Sequence, residues 1–516
     1  MDFCLHAYPG IKKIKYAITV LIKNKPLTPL MHPYLKFAKQ TFIMGTLGVL
    51  GGIQGIIFLP IITKILGVQN YGIWIQVQIT MYLLAPLTLL GFNEAMGRFL
   101  PGEKDTKKIQ EGIYSSLVFV LTINAALALC MIIFSGPLVA FFKFESTFIK
   151  LLSLIIIFES ASTVLLTAIL SRREVKKYFL FAISKMFGET ALVVSAILSG
   201  YGLRGAVSSL LLIRIIIFSM AFFYIVKKHG IKFPDFSLIK PYMRFGLPTV
   251  TGIISYGAVT SAARYIIGFS LGILFVGYYS AASSIGMLLL FFIVPIMSVL
   301  SIVLPKFFDE NDFDTVKNYL SYSLKYFLLI MIPAVFGLSV LARQLLAIFS
   351  TEEISANAYA VTPFIAASML CYGIIMFFFM ILNLAKKTKT IAIIWAVTAL
   401  LNIVLNLVFT PIFGIMSAAV IALISYIFAL VLMCYLASKV LQFNIDWNFI
   451  AKSLISSALM GLAIIWFNPM NLPGVILSII LGFVIYSLSI FLFRGVGKKE
   501  INFFKKFIYE MVFFNK

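Results

Sequence analysis

Long apolar stretches alternate with short, mostly basic ones along almost the whole chain. The clearest lies between Arg244 and Lys306, where 61 consecutive positions carry one charge, Arg264. A hydrocarbon core about 30 Å thick takes roughly 20 helical residues to cross, so such a run must cross, turn and cross again. The uncharged segment from Ser270 to Gly277, bounded by glycines, supplies the turn. Read the same way throughout, the pattern predicts an all-α polytopic membrane protein of about 14 transmembrane helices. Spans are expected at 245–269, 275–304, 390–411 and 415–438 among others.

Short connections make neighbouring helices antiparallel, so alternate loops share a side. One side collects 34 basic residues, and the other holds five: Lys64, Lys143, Lys150, Arg204 and Arg343. The excess predicts that both termini are cytoplasmic in a multi-pass protein of the cell membrane.

The chain also repeats itself. Leu66-Gly67-x4-Gly72 recurs as Leu271-Gly272-x4-Gly277, and Leu100-Pro101 as Leu304-Pro305. Gly202 to Ala206 corresponds to Gly414 to Ala418, and Arg172-Arg173 to Lys386-Lys387. Six expected helices separate each pair. An even number preserves orientation, so the halves are parallel repeats with a substrate path expected between them near the midplane. The expected organisation is a basic leader at 1–40, a six-helix bundle at 41–226, a linker at 227–244 and a second six-helix bundle at 245–438. Two additional helices at 439–495 and a basic amphipathic tail at 496–516 complete it. In the leader, Ile11, Ile14, Ile18, Leu21 and Ile22 share a face, as Phe504, Phe507, Ile508 and Met511 do in the tail, which suits segments lying on an anionic leaflet.

Composition settles one ambiguity. A net charge of +23 would suggest nucleic acid in a soluble protein, but 61% hydrophobic residues and a mean hydropathy of +1.04 leave too little polar surface for one, and the cations follow the membrane rule. Nucleic acid is not an expected partner. The four cysteines, Cys4, Cys130, Cys371 and Cys434, lie far apart and form neither a disulfide framework nor metal-ligand spacing. No metal or cofactor is expected, and no long outer loop exists to house an enzyme site.

The pieces LPIITKILGVQNYGIW, LGFNEAMGRFLP, SRREVKKYF and GYGLRGAV, the 244–308 stretch, and KKTKTIAIIWAVTALLNIVLNLVFTPIFGIMSAAV occur in an order and spacing that resemble the polysaccharide-exporting lipid flippases of the multidrug/oligosaccharidyl-lipid/polysaccharide transporter superfamily. The resemblance covers roughly residues 41 to 440. It implies a MATE-like core of two pseudo-symmetric six-helix bundles working by alternating access, and a polyprenyl-pyrophosphate-linked oligosaccharide as cargo for glycan assembly. Membrane lipids and glycan-assembly proteins are the implied partners.

An ionisable group at a helix centre costs about 2.5–3.5 kcal/mol on insertion scales, so each is a candidate functional residue. The spans hold Glu159, Lys185, Glu189, Arg214 and Arg264. Counted from the helix ends, the three cations are expected at successive depths, Lys185 innermost and Arg264 outermost, suited to a diphosphate. Two structural alternatives stand beside this: Lys185 can neutralise Glu189 one turn away, and Glu159 can pair with Arg214. Gln54, Gln76, Gln78, Asn402 and Asn406 either bind sugars or join helices. The short basic loops with Arg172, Arg173, Lys386 and Lys387 are candidate points of headgroup arrival, or simply topology-setting charge. Coupling to an ion gradient would fall to Glu159 or Glu189. A cation-coupled multidrug exporter is the second reading, but such a protein is expected to carry a first-helix carboxylate, and 41–62 has none. An integral membrane glycosyltransferase or polymerase is a third.

Overall fold

A computed structural model describes residues 32–469 and 471–495, so the expected leader and tail helices lie outside the described residues. Every regular element within them is helical. In chain order these are α1 (His32–Leu66), α2 (Val68–Thr88), α3 (Phe92–Phe99), α4 (Thr106–Ile133), α5 (Ser135–Phe142), α6 (Ser146–Ser171), α7 (Val175–Leu198) and α8 (Gly202–His229). There follow α9 (Ile239–Ser270), α10 (Ile273–Gly286), α11 (Leu290–Asp309), α12 (Phe313–Val340), α13 (Ala342–Phe349), α14 (Glu352–Ala358), α15 (Val361–Leu384), α16 (Thr388–Ser438), α17 (Trp447–Phe467) and α18 (Leu472–Leu492). Backbone groups have no water to bond with in hydrocarbon, which leaves the helix as the way for these apolar stretches to cross.

Eleven helices are long and apolar enough to span, and twelve when α2 and α3, bent by 52°, count as one broken span. The length of α16 adds a crossing: 51 helical residues would reach about 76 Å if straight. It is not straight. Gly414 has φ 72°, and Asn402 Nδ2 donates to Ser425 Oγ at 3.0 Å across 23 positions, so the two arms fold back on each other. With α9, 32 residues long, the architecture is compatible with fourteen crossings. The expected break after 269 is Leu271-Gly272, and the expected 275–304 span is α10 and α11 joined through a tight turn at Met287–Leu289. The spans expected from the sequence leave α5, α13 and α14 in connections and place most of α3 in the second span, 72–96.

The order of elements recurs between the halves. Gly67 and Gly272 both precede a helix with positive φ (85° and 107°) and extended ψ, and Arg173 and Lys386 share a left-handed turn (φ 61° and 57°). Short α5 and α13 are eight residues each, and α6 and α15 are the most buried spans of their halves. Between α2 and α10 the contact is reciprocal. A Cβ on Gly72 would sit 2.2 Å from the Ile273 carbonyl oxygen, and one on Gly277 2.5 Å from that of Val68. Residues 68 and 72 correspond to 273 and 277 by the 205-residue offset, so corresponding patches meet each other, as a pseudo-two-fold relation would have it. This is compatible with the expected repeat. At the other end of the molecule the halves meet through rings, Phe99 stacking on Tyr242 at 5.5 Å and meeting Phe245 edge-on at 5.4 Å.

Because backbone, not a flexible side chain, opposes a methyl at Gly72, we expect Gly72→Ala to destabilise the protein by about 1–3 kcal/mol. Gly55→Ala, with nothing within 4 Å, should change stability by less than about 0.5 kcal/mol. Thermal unfolding of both variants in one detergent decides it, and equal melting temperatures would remove the close-approach argument.

Candidate transport site

Four of the five charges in the spans form one cluster. Lys185 Nζ donates to Glu159 Oε1 and Oε2 at 2.6 and 2.7 Å. Arg214 Nε lies 2.5 Å from Glu159 Oε2 as an ion contact, and its NH1 donates to Glu189 Oε2 at 2.8 Å. The cluster ties α6, α7 and α8 together around an Arg214 side chain that is 1% exposed. Two cations and two anions leave no net charge. Desolvating any one of them alone would be prohibitive in hydrocarbon, and mutual pairing offsets most of that cost.

This arrangement corrects two expectations. Lys185 pairs with Glu159 rather than with Glu189 one turn away, whereas the Glu159–Arg214 pairing is present. Lys185 and Arg214 also share one carboxylate, so they lie at one level and not at successive depths. Gln54, on α1, gives its amide to the Met186 carbonyl at 3.4 Å and joins helices beside the cluster. Asn402 and Asn406 likewise act within the fold: Asn406 bonds Asn402, and Thr410 donates to Asn406 at 2.9 Å. The side-chain oxygens of Gln76 and Gln78 are buried with no protein partner among the described residues.

Arg264 stands apart from the cluster, with no carboxylate within ion-pair distance among the described residues. Its Nε donates to Ser280 Oγ at 3.2 Å and its NH1 to the Thr260 carbonyl at 2.7 Å. The guanidinium lies 5.7 Å from the centre of the Tyr279 ring. Spacing of four residues sets Tyr256, Thr260 and Arg264 on one face of α9. There Tyr256 meets an aromatic group that sequence reading missed. Its ring lies 6.2 Å from Tyr372 and 5.6 Å from Trp395, and Tyr426 packs against both at 5.9 and 6.4 Å. Tyr256 is 40% exposed, while Trp395 and Tyr426 are buried. The i, i+4, i+8 spacing was the available signal; the partners come from helices more than a hundred residues away.

The basic loops divide. Arg172 is held by the carbonyls of Leu100 and Glu103 at 3.2 and 3.0 Å, a structural use. Arg173 is exposed and lines a cavity of about 550 Å³ with Asn93, Glu94, Thr167 and Ser171. Lys386 and Lys387 are exposed. Next to Arg173, Glu174 gathers Lys177 at 3.1 Å, Tyr224 at 2.5 Å and Lys228. Burial alone would raise this carboxyl, but the hydrogen bonds from Lys228, Tyr224 and Lys177 outweigh it and hold it down at about 2.

The family model described as "Polysaccharide biosynthesis protein" matches residues 37–308, more than half of the chain. The chain belongs to this polysaccharide biosynthesis protein family. A second model, MatE, matches residues 251–408, which lie in the second half of the repeat. The resemblance drawn from the sequence to that transporter superfamily therefore stands. The probable low-salt glycan biosynthesis flippase Agl15 of Haloferax volcanii is 22% identical over 253 residues, 47% of this chain and 53% of that protein. The chain thus spans about half the length of this curated relative. Among solved structures, the lipid II flippase MurJ in an inward closed conformation superposes with TM-score 0.73 at 19% identity, covering 89% of this chain and 98% of that one. An inward-facing multidrug resistance MATE family transporter gives 0.59 at 14% identity over 79% and 98%. At these identities the likeness is one of fold, and it is the MATE-like fold that the family resemblance implied.

Two outcomes follow for this family member. Arg214→Met strands a carboxylate and should cost about 3–5 kcal/mol, whereas adding Glu189→Gln, which leaves the Lys185–Glu159 pair intact, should recover much of it. Thermal unfolding and folded yield measure both. For Glu174, a folded pKa of about 2 lies below the ordinary carboxylate value of about 4.3, so its stabilisation is complete above that value and fades as pH falls toward 2. Unfolding of Glu174→Gln should therefore differ from the parent at neutral pH and converge on it in acid; a constant difference would contradict the assignment.

Proposed function

We propose that this chain is a flippase carrying a polyprenyl-pyrophosphate-linked oligosaccharide across the cytoplasmic membrane, with both termini in the cytoplasm and the bundles 41–226 and 245–438 alternating in access. The observation that carries this reading is Arg264: a cation within a span, with hydroxyl, carbonyl and aromatic neighbours but no counter-ion among the described residues. An arginine stays charged in a low-dielectric cavity and binds two oxygens of a phosphate at once. Tyr256, two turns along the same face, and the rings behind it offer an apolar, hydroxyl-bearing wall beyond the anion. Glycan-biosynthesis and lipid II flippases among the similar proteins support the cargo class. Arg173, Lys386 and Lys387 are the proposed points where the anionic headgroup arrives, and glycan-assembly proteins are the proposed partners.

The MatE match favours a second reading, a cation-coupled multidrug exporter. Glu159 and Glu189 argue against it, since both are already engaged by cations. Cargo charge separates the two. Purified protein should be stabilised by a polyprenyl-pyrophosphate glycan more than by a lipophilic cation, and the reverse order would favour the exporter.

Arg264→Ala should lower glycan export at least about tenfold, the worth of one charge-assisted hydrogen bond of about 1.5–3 kcal/mol, with folded yield unchanged. Arg264→Lys should retain part of the activity, because an ammonium keeps the charge but not the paired donors. Export assays run beside melting curves distinguish this from a structural role, and full export by well-folded Arg264→Ala protein would sink the proposal.

A further inference from the structure

The end of the molecule with few cations is closed by two contacts that are mates of each other. Lys64, in the last turn of α1, donates from Nζ to the Ile348 carbonyl at 2.7 Å, and Lys143, which caps α5, donates to the Phe269 carbonyl at 2.9 Å. Each joins one half of the repeat to the other, across 284 and 126 chain positions. The correspondence is close. Lys64 stands three residues before Gly67, and Phe269 three before its repeat partner Gly272. Lys143 closes the eight-residue α5, and Ile348 lies in the last turn of the eight-residue α13. The first bond therefore runs from a long helix to a short one, and the second from the corresponding short helix to the corresponding long one.

The acceptors are chosen by helix geometry. Carbonyls in a last turn have no intrahelical partner and sit at the negative end of the helix dipole, so an ammonium suits both of their needs. Both lysines are exposed. When such a bond breaks, the ammonium passes to water and no charge is stranded, unlike the buried cluster around Arg214. The reciprocal glycine contact of α2 with α10 begins a few residues beyond Lys64 and Phe269 in the chain, so the halves are also in backbone contact near the helices that the two bonds join.

We propose that Lys64 and Lys143 are a matched pair of latches that hold this end closed and release together when the path opens to that side. The inference rests on the alternating-access reading but not on the identity of the cargo. It assigns a role to two cations that the charge count treats only as topology.

The test is a distance between spin labels on the full chain, its four cysteines replaced by serine and new ones placed at Ile65 and Glu352, in lipid nanodiscs. The parent should show a dominant short distance. Lys64→Ala with Lys143→Ala should raise the long-distance population several-fold, each single change should do less, and Lys64→Arg should keep the short distance. Should the double alanine variant fail to fold, Lys64→Gln with Lys143→Gln, which keeps the polarity and removes the charge, should show the same shift. If both distances occur in the parent on adding the glycan lipid while a folded double variant matches the parent, the latches fall and alternating access stands. A parent that keeps one distance under every condition overturns the alternating-access reading, and the latches with it.

Discussion

A charge inside hydrocarbon must be met by another charge or by a cargo, and that constraint orders the interior of this protein. Arg214 cannot shed its proton, so its burial at 1% exposure is tolerable only with Glu159 and Glu189 within 3 Å. Glu159 in turn takes Lys185, which brings α7 to α6 as Arg214 brings α8. Three helices are thus held in one register by a neutral group of four. The same constraint makes Arg264 informative, because among the described residues no carboxylate lies within ion-pair distance of it.

The second organising feature is the correspondence between the halves in glycines and helix ends, which is compatible with a pseudo-two-fold relation. Gly72 and Gly277 let α2 and α10 approach to backbone contact, and a side chain at either place would collide with the opposite carbonyl. On the alternating-access reading, such a contact between backbones can separate and rejoin without rearranging the helices themselves. The bonds from Lys64 and Lys143 lie at the same end and join corresponding pairs of helices, although both donors belong to the first half and both acceptors to the second.

Much of the fold was legible because the signals are long. A 61-residue run with one charge, and glycines at a constant offset, survive any uncertainty about individual contacts. The five ionisable residues were legible as well, since charge in a span is rare. Their partners were not. Lys185 is one turn from Glu189, yet it turns to Glu159 on another helix, because rotation of α7 about its axis is set by packing against α8 and α1 and leaves no mark on spacing. Nor can a sequence show that Ile348 and Phe269 accept hydrogen bonds, since every residue has a carbonyl and only the helix end makes these two available. The aromatic group around Tyr256 escaped notice for a related reason: tyrosine and tryptophan are unremarked in apolar helices until the packing of α9, α15 and α16 brings them together.

The repeat also shows where the halves diverged. Glu189 corresponds to Asn402 by an offset of 213, and Arg214 to Tyr426 by 212. In the first half these positions carry opposite charges in contact, whereas in the second Asn402 bonds Ser425 and Tyr426 packs on Trp395. The first half is therefore charged internally but neutral in sum, and the second is uncharged at these positions and cationic at Arg264. An external cation entering the first half would have to displace an arginine that stays protonated, while an anion entering the second meets a guanidinium with no carboxylate partner among the described residues. On the flippase reading this asymmetry gives the second half the recognition of the diphosphate and leaves the first as the rigid body against which it moves.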